Sequence, residues 1–141
     1  NDKISVRSKG RLKSLERIDT MYYPGFPTDL QTQIMALQTI SRGTSVIAEN
    51  IFETRFKTVP QLIKMGADIT VRDRTAVVRG VPGLHGAEVH ATDLRGGASL
   101  VLAGLAAEGR TEVKDIYHID RGYEDMAPVL SGLGANITRV V

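Results

Sequence analysis

The chain repeats itself, and that repetition limits its fold more than any other property. Pro27-Thr28-Asp29-Leu30 opens an apolar-periodic run that closes at Gly43; a strand-like stretch follows, then Arg55, Pro60 with Leu62, and Gly66-Ala67-Asp68-Ile69. Ala91-Thr92-Asp93-Leu94 opens a second run that closes at Gly109. Arg121, Pro128 with Leu130, and Gly134-Ala135-Asn136-Ile137 complete the echo. The offset drifts from 64 residues at the aspartates to 66 at the glycines and arginines and 68 at the Gly-Ala pairs, as short loop insertions in a duplicated unit produce. Repetition at this scale dictates stacked supersecondary units rather than one irregular globule. It also places one Asp and one Arg at matching points of each unit.

Within the first unit Leu30, Ile34 and Leu37, with Met35 or Ile40, lie at helical spacing and would bury one face. Thr28 with Gln31 matches a capping box, and Gly43 a helix stop. Residues 45–51 read as a strand leading to the polar corner Glu53-Thr54-Arg55. Residues 59–65 read as a short helix with Pro60 in its first turn. Alternation over 68–72 and 76–79 around Asp73-Arg74 predicts a hairpin. The second unit repeats the order, with a long helix through Leu94, Ala98, Val101 or Leu102 and Leu105, a strand over 112–117 and a second helix over 123–133. Residues 80–86 between the units are loop-like but too short and apolar for a flexible linker, so the units are expected to share a core. Strands mixed with two helices per unit make the class α/β.

Composition narrows the functional classes. At 141 residues with 42% hydrophobic and 24% charged residues, the chain is globular and sized for one domain. Without cysteine it has no disulfide, thiolate ligand or cysteine nucleophile, which leans toward a reducing compartment. The longest apolar stretch, near Leu100 to Ala107, is broken by Gly104 and falls far short of the ~20 residues of a membrane span. The expectation is a soluble, cytoplasmic chain with no membrane partner. Asn1 is not a natural initiator, which suggests processing or truncation. Residues 1–17 hold six Lys/Arg against Asp2 and Glu16, a balance of +4, whereas the remainder balances at −2. Such an arm could touch nucleic acid or another polyanion. With no interleaved aromatics, and with Ile4-Ser5-Val6 and residues 12–18 alternating around Lys9-Gly10, a solvated basic hairpin over 1–19 is the favoured reading and nucleic acid is not an expected partner.

Few residues carry chemistry. Asp29 and Asp93 sit at helix starts beside Thr28 and Thr92, where a carboxylate caps orphan amides and suits the helix dipole. The functional alternative is a carboxylate at a mouth that accepts a substrate hydroxyl proton. Amide bonding would make it a weak base, acting only on a hydroxyl whose acidity grows during reaction. Arg55 and Arg121 each follow a strand end, where side chains of neighbouring units converge. Arg95 lies in the first turn of an apolar helix, a poor place for a cation, and beside free helix-start amides it suggests a grip on phosphate or carboxylate. An Arg–Asp bridge within each unit is the structural alternative. Gly96-Gly97 would permit close approach of a ligand. His85, His90 and His118 form no metal motif, and no nucleophile elbow occurs. Tyr22-Tyr23, followed by Pro24-Gly25-Phe26-Pro27, could line a pocket or form a rigid turn packed on the core.

Four ordered segments carry a family resemblance: Tyr23-Pro24-Gly25-Phe26-Pro27-Thr28-Asp29, Glu49-Asn50-Ile51-Phe52-Glu53-Thr54-Arg55-Phe56, Ala91-Thr92-Asp93-Leu94-Arg95 and Asp120-Arg121-Gly122-Tyr123-Glu124. From about Ile4 to its end, the chain resembles the UDP-N-acetylglucosamine enolpyruvyl transferases (1-carboxyvinyltransferases), which open bacterial peptidoglycan synthesis. The resemblance implies repeated units of an inside-out α/β barrel lobe, with about two of three units present (20–80 and 81–141) in the later part of the C-terminal lobe. It implies transfer of enolpyruvyl from phosphoenolpyruvate to the 3-hydroxyl of UDP-N-acetylglucosamine, with neither cofactor nor metal. Asp29 would take or orient the hydroxyl proton, Ile51 would contact the nucleotide-sugar through its backbone, and Phe52 would line the site. Arg55 and Asp93 would position the reacting centre, and Arg95 and Arg121 would clamp phosphoenolpyruvate and the charge of the addition intermediate. The family's Lys-Asn motif and the mobile loop bearing its proton donor, typically a cysteine, belong to an N-terminal lobe that this chain lacks. The chain alone is therefore expected to be inactive. A fragment of the sibling shikimate-phosphate enzyme and a non-catalytic polyanion-binding module are the competing readings. The run from Tyr23 to Asp29 argues against the first.

Overall fold

The computed structural model describes residues 2–140. Asn1 and Val141, the outer ends of the expected hairpin and second unit, lie outside the described residues. The first half is built on a four-stranded sheet of order β1-β2-β4-β3. Strand β1 (Arg17–Asp19) leads through a 3-10 turn at Thr28–Leu30 into helix α1 (Gln31–Thr39) and back to β2 (Thr44–Ala48), which lies parallel to β1. A second 3-10 turn (Arg55–Thr58) runs straight into α2 (Val59–Lys64), with Pro60 in its first turn where no amide is required. Strands β3 (Asp68–Arg72) and β4 (Thr75–Arg79) form the hairpin that alternation predicts, with Ile69 opposite Val78 and Val71 opposite Ala76. Asp73 turns it at φ +50°, a left-handed conformation that Asp tolerates better than most residues.

The second half repeats the opening move. Strand β5 (Glu88–His90), helix α3 (Leu94–Ala106) and β6 (Glu112–Lys114) again make two parallel strands joined by a helix. Helices α4 (Tyr117–Asp120) and α5 (Met126–Gly132) follow. No strand occurs among the described residues after β6, so this sheet stops at two strands.

Helices α1 and α3 pack on each other and on the sheet, but not through the whole of the faces that periodicity predicts. Leu30, Leu37, Leu102 and Leu105 are exposed, and α1 buries Gln31, Thr32, Met35, Ala36, Gln38 and Thr39 instead. Met35, Ile47, Leu62, Met65, Val78, Val89 and Leu100 are fully buried in one cluster that draws on both halves. Each such side chain contributes about 1.5–3 kcal/mol when taken out of water. A smaller cluster of Ala91, Val101 and Ile119 holds α4 and α5 against α3. Gly97 permits that contact, because a Cβ there would lie 2.6 Å from Ile119 Cγ1. At Gly96 a Cβ would collide with the Thr58 hydroxyl. The paired glycines thus admit the protein's own neighbouring elements and not a ligand.

Three local expectations are corrected. No hairpin occurs among the described residues 2–19 of the expected basic hairpin over 1–19. Backbone bonds Arg42 N to Leu12 O, Ser14 N to Arg42 O and Val46 N to Glu16 O align residues 12–16 with the chain entering β2 rather than with residues 2–9. Arg11 fixes this path by donating to the carbonyls of Ile40 and Val81, each at 2.7 Å, and of Ser41. Ile4 and Val6 stand exposed. The Thr28–Gln31 capping box is absent: no side chain caps that 3-10 turn, and the Thr28 hydroxyl bonds Glu49 instead. The single helix expected over 123–133 begins only at Met126, because Asp125 adopts φ +38°.

Candidate active site

Packing α1 against α3 sets the starts of the two helices side by side, and the matched aspartates then take different parts. Asp93 is a helix cap: its Oδ1 accepts from the amides of Arg95 (3.0 Å) and Gly96 (2.9 Å). Those amides are therefore occupied, and the free-amide anion grip expected at Arg95 is not formed. Asp29 caps nothing. Its Oδ1 accepts from Arg55 Nη2 at 2.6 Å and its Oδ2 from Arg95 Nη2 at 3.0 Å. Arg55 also lies 3.8 Å from Asp93 Oδ1 through Nη1. The result is an alternating array, Arg95–Asp29–Arg55–Asp93, that crosses from one unit to the other. The bridge expected within each unit occurs in the first, between Arg55 and Asp29, but Arg121 does not bridge Asp93.

Each guanidinium is held in place by neutral partners as well. Arg55 Nε donates to Thr28 Oγ1 at 3.2 Å, and the group lies 4.7 Å from the centre of the Phe52 ring. Arg95 Nη1 donates to the Tyr123 hydroxyl at 2.8 Å. Arg55 is buried, with 9% of its side chain exposed, whereas Asp29 keeps 54%. The hydrogen bond from Arg95, reinforced by the charges of both arginines, holds the Asp29 carboxyl below the usual carboxylate range. Arg95 is correspondingly raised by its bonds to Tyr123 and Asp29. The array presents a half-exposed, ionised carboxylate between two planar cations, suited to receive a hydrogen bond from a polar ligand beside an anion.

The remaining site candidates scatter. Phe52 is half exposed beside Arg55. Ile51 gives its amide to Glu49 Oε1 at 3.0 Å, which leaves its carbonyl as the backbone group that can meet a ligand. Arg121 is exposed and its side chain makes no ion pair or hydrogen bond among the described residues, although its neighbour Gly122 packs on Leu94 in the first turn of α3. His90 Nδ1 lies 2.7 Å from Asp115, and the described residues hold no group of three or more His, Cys, Asp or Glu able to bind a metal. Tyr22 and Tyr23 are exposed on their turn and do not pack on the core. An apolar cavity of about 280 Å³ opens beside Tyr123, between Ala98 and Leu102 of α3 and Met126 and Val129 of α5.

Sequence reasoning missed two participants. Tyr123 was quoted within a motif and as the start of a helix but given no role. Glu49 was quoted within a motif but given no role, although an acidic residue ending an apolar strand is a signal that could have drawn attention. It is 2% exposed, and its Oε1 accepts from the hydroxyls of Thr20 and Thr28.

The fold and the site define an α/β repeat protein with an arginine–carboxylate mouth between its repeats. No helix among the described residues is long and apolar enough to cross a membrane. The chain belongs to the EPSP synthase (3-phosphoshikimate 1-carboxyvinyltransferase) family, whose model it matches over residues 1–130. It is 60% identical over 134 residues to a UDP-N-acetylglucosamine 1-carboxyvinyltransferase of Myxococcus xanthus, covering 92% of this chain and 32% of that protein. It is 56% identical over 140 residues to a second from Caldanaerobacter subterraneus, covering 98% of this chain and 34% of that protein. The crystal structure of the enolpyruvyl transferase NikO from Streptomyces tendae superposes with a TM-score of 0.84 at 33% identity, over 94% of this chain and 30% of that one. EPSP synthase from Acinetobacter baumannii, at 22% identity and a TM-score of 0.51 over 69% of this chain and 26% of that one, shares the fold. The chain spans about a third of the length of the curated relatives it matches.

Proposed function

We propose that the chain is the substrate-facing part of an enzyme that transfers enolpyruvyl from phosphoenolpyruvate to the 3-hydroxyl of UDP-N-acetylglucosamine, releasing phosphate. This is a cytoplasmic reaction that commits material to peptidoglycan. One observation carries the reading: Asp29, ionised and half exposed, is held through separate oxygens by Arg55 and Arg95. The identity to relatives bearing this activity in their names supports the choice of sugar.

In this reading Asp29 receives the proton of the 3-hydroxyl as its oxygen bonds to the substituted carbon of phosphoenolpyruvate. Its depressed pKa suits a base that acts only as the hydroxyl acidifies along the reaction. Arg55 and Asp93 set its position. Arg95, together with Arg121, receives the phosphate and carboxylate of phosphoenolpyruvate and offsets the charge of the addition intermediate. Arg121 is unpaired among the described residues and so is available for an anion. The Ile51 carbonyl and the Phe52 ring receive the nucleotide-sugar. Residues 20–80 and 81–141 are two of three repeat units in their lobe, and the proton donor comes from an N-terminal lobe outside this sequence.

Ligand titration of the full-length enzyme that carries this segment tests the reading. Protection against thermal unfolding by UDP-N-acetylglucosamine, and none by shikimate 3-phosphate, is the expected result. The opposite preference would assign the chain to the sibling reaction, and salt-sensitive nucleic-acid binding with no response to either sugar would make it a polyanion module.

A further inference from the structure

Glu49 lies immediately after β2, is 2% exposed, and pairs with no cation among the described residues. A buried carboxylate without a counter-ion is costly unless hydrogen-bonded. Here a single oxygen carries the compensation: Oε1 accepts from Thr20 Oγ1 (2.8 Å), Thr28 Oγ1 (3.0 Å) and the amides of Ile51 and Phe52 (3.0 Å each). Oε2 is buried and has no protein partner.

The Thr28 bond has a fixed direction. Its hydroxyl accepts from Arg55 Nε, so its one proton is directed to Glu49. The relay Arg55–Thr28–Glu49 sets the plane of the guanidinium that holds Asp29. The two amide bonds tie the loop that presents the Ile51 carbonyl and the Phe52 ring. Thr20, the fourth donor, also accepts the Asn50 amide at 2.8 Å, which closes the loop on β1.

We propose that Glu49 is the positioning residue of this site, aligning the nucleotide-sugar edge (Ile51, Phe52) and the reacting edge (Arg55, Asp29) through one oxygen. The inference rests on the functional reading above for its kinetic consequences but not for its geometry.

The test uses Glu49→Ala, Glu49→Gln, Glu49→Asp and Thr28→Val in the full-length enzyme. Stranding four donors should raise KM for UDP-N-acetylglucosamine in the Ala variant on the order of 10-fold or more and lower kcat as well. Glu49→Gln, which retains an acceptor at Oε1, should recover most of that loss. Thr28→Val cuts only the relay and should depress kcat more than it raises KM. If the Ala variant does not fold, the Asp variant, too short by one methylene to reach all four donors, should carry the same KM defect. Folded Ala or Asp variants with kcat and KM within about threefold of the parent would overturn the proposal. Amide exchange at Ile51 and Phe52 is read alongside, with protection present in the parent and lost in the Ala or Asp variant. Unchanged protection would overturn the proposal even if the parent showed no turnover, an outcome that by itself removes only the functional reading.

Discussion

Asp29→Asn separates chemistry from architecture most cleanly. The substitution keeps the shape of the side chain but leaves one oxygen where there were two. One of the two guanidiniums must then face an amide NH₂, donor against donor. Arg55 is buried and bonds at 2.6 Å, whereas Arg95 is more exposed and keeps its bond to Tyr123. The surviving oxygen therefore turns to Arg55, and the bond from Arg95 is the one lost. Because Asp29 is half exposed, that loss lies in the range of solvent-screened pairs, about 1 kcal/mol at most. Against a global stability of roughly 5–15 kcal/mol, the folded fraction is unchanged. Turnover should nevertheless fall by about 10² or more, the typical worth of a positioned acid–base group. Phosphate release and urea unfolding, measured on one preparation, decide the matter. A kcat within about threefold of the parent, alongside the small shift in midpoint, would reduce Asp29 to an ion-pair partner. The pH dependence supplies a second check. The folded-state pKa of Asp29 is depressed, so its contribution to stability is complete above the unfolded value of about 3.9 and is lost as pH falls through the lower folded value. The gap in stability between parent and Asn variant should accordingly be constant near neutrality and close below about pH 4.

Asp93→Ala should cost about 1 kcal/mol in chemical denaturation through the lost cap, while Asp93→Asn keeps the cap, stays within a few tenths of the parent and reveals by its kcat what the charge contributes. Arg121→Lys should leave stability within about 0.5 kcal/mol, since the side chain is exposed and unpaired. It should raise KM for phosphoenolpyruvate about 10-fold, because an ammonium cannot reproduce a planar fork; unaltered kinetics would remove Arg121 from the clamp. Gly97→Ala should destabilise by about 1–3 kcal/mol as its Cβ meets Ile119, and adding Ile119→Ala should relieve part of that overpacking.

Strand alternation and helix punctuation were legible in the sequence because they follow from local rules, whereas the buried face of α1, rich in Gln and Thr, was not. Alternation over β3 and β4 gave that hairpin, and Pro60 with Gly66 bracketed α2. The duplicated Thr-Asp pairs located both helix starts. What could not be read was which of two equivalent aspartates would cap. Asp93 reaches the amides of α3, whereas Asp29 is drawn outward because Arg55 and Arg95 converge on it from elements 26 and 66 residues away. The same limit hid Glu49, whose four donors come from the chain following β1, the start of the Thr28–Leu30 turn and its own loop. The arm at 2–16 was misread for a related reason: its alternating pattern suits a strand, but nothing in the pattern says that residues 42–46 are its partner.

The array of Asp29, Arg55, Asp93 and Arg95 exists only at the seam where two copies abut. Residues 20–80 supply only Asp29 and Arg55 to it, able to neutralise each other but not to leave a carboxylate poised between two cations. The arrangement depends on the packing of α1 against α3, which sets the two helix starts side by side. It also divides the labour: Asp93 finishes a helix, which leaves Asp29 for work at the boundary.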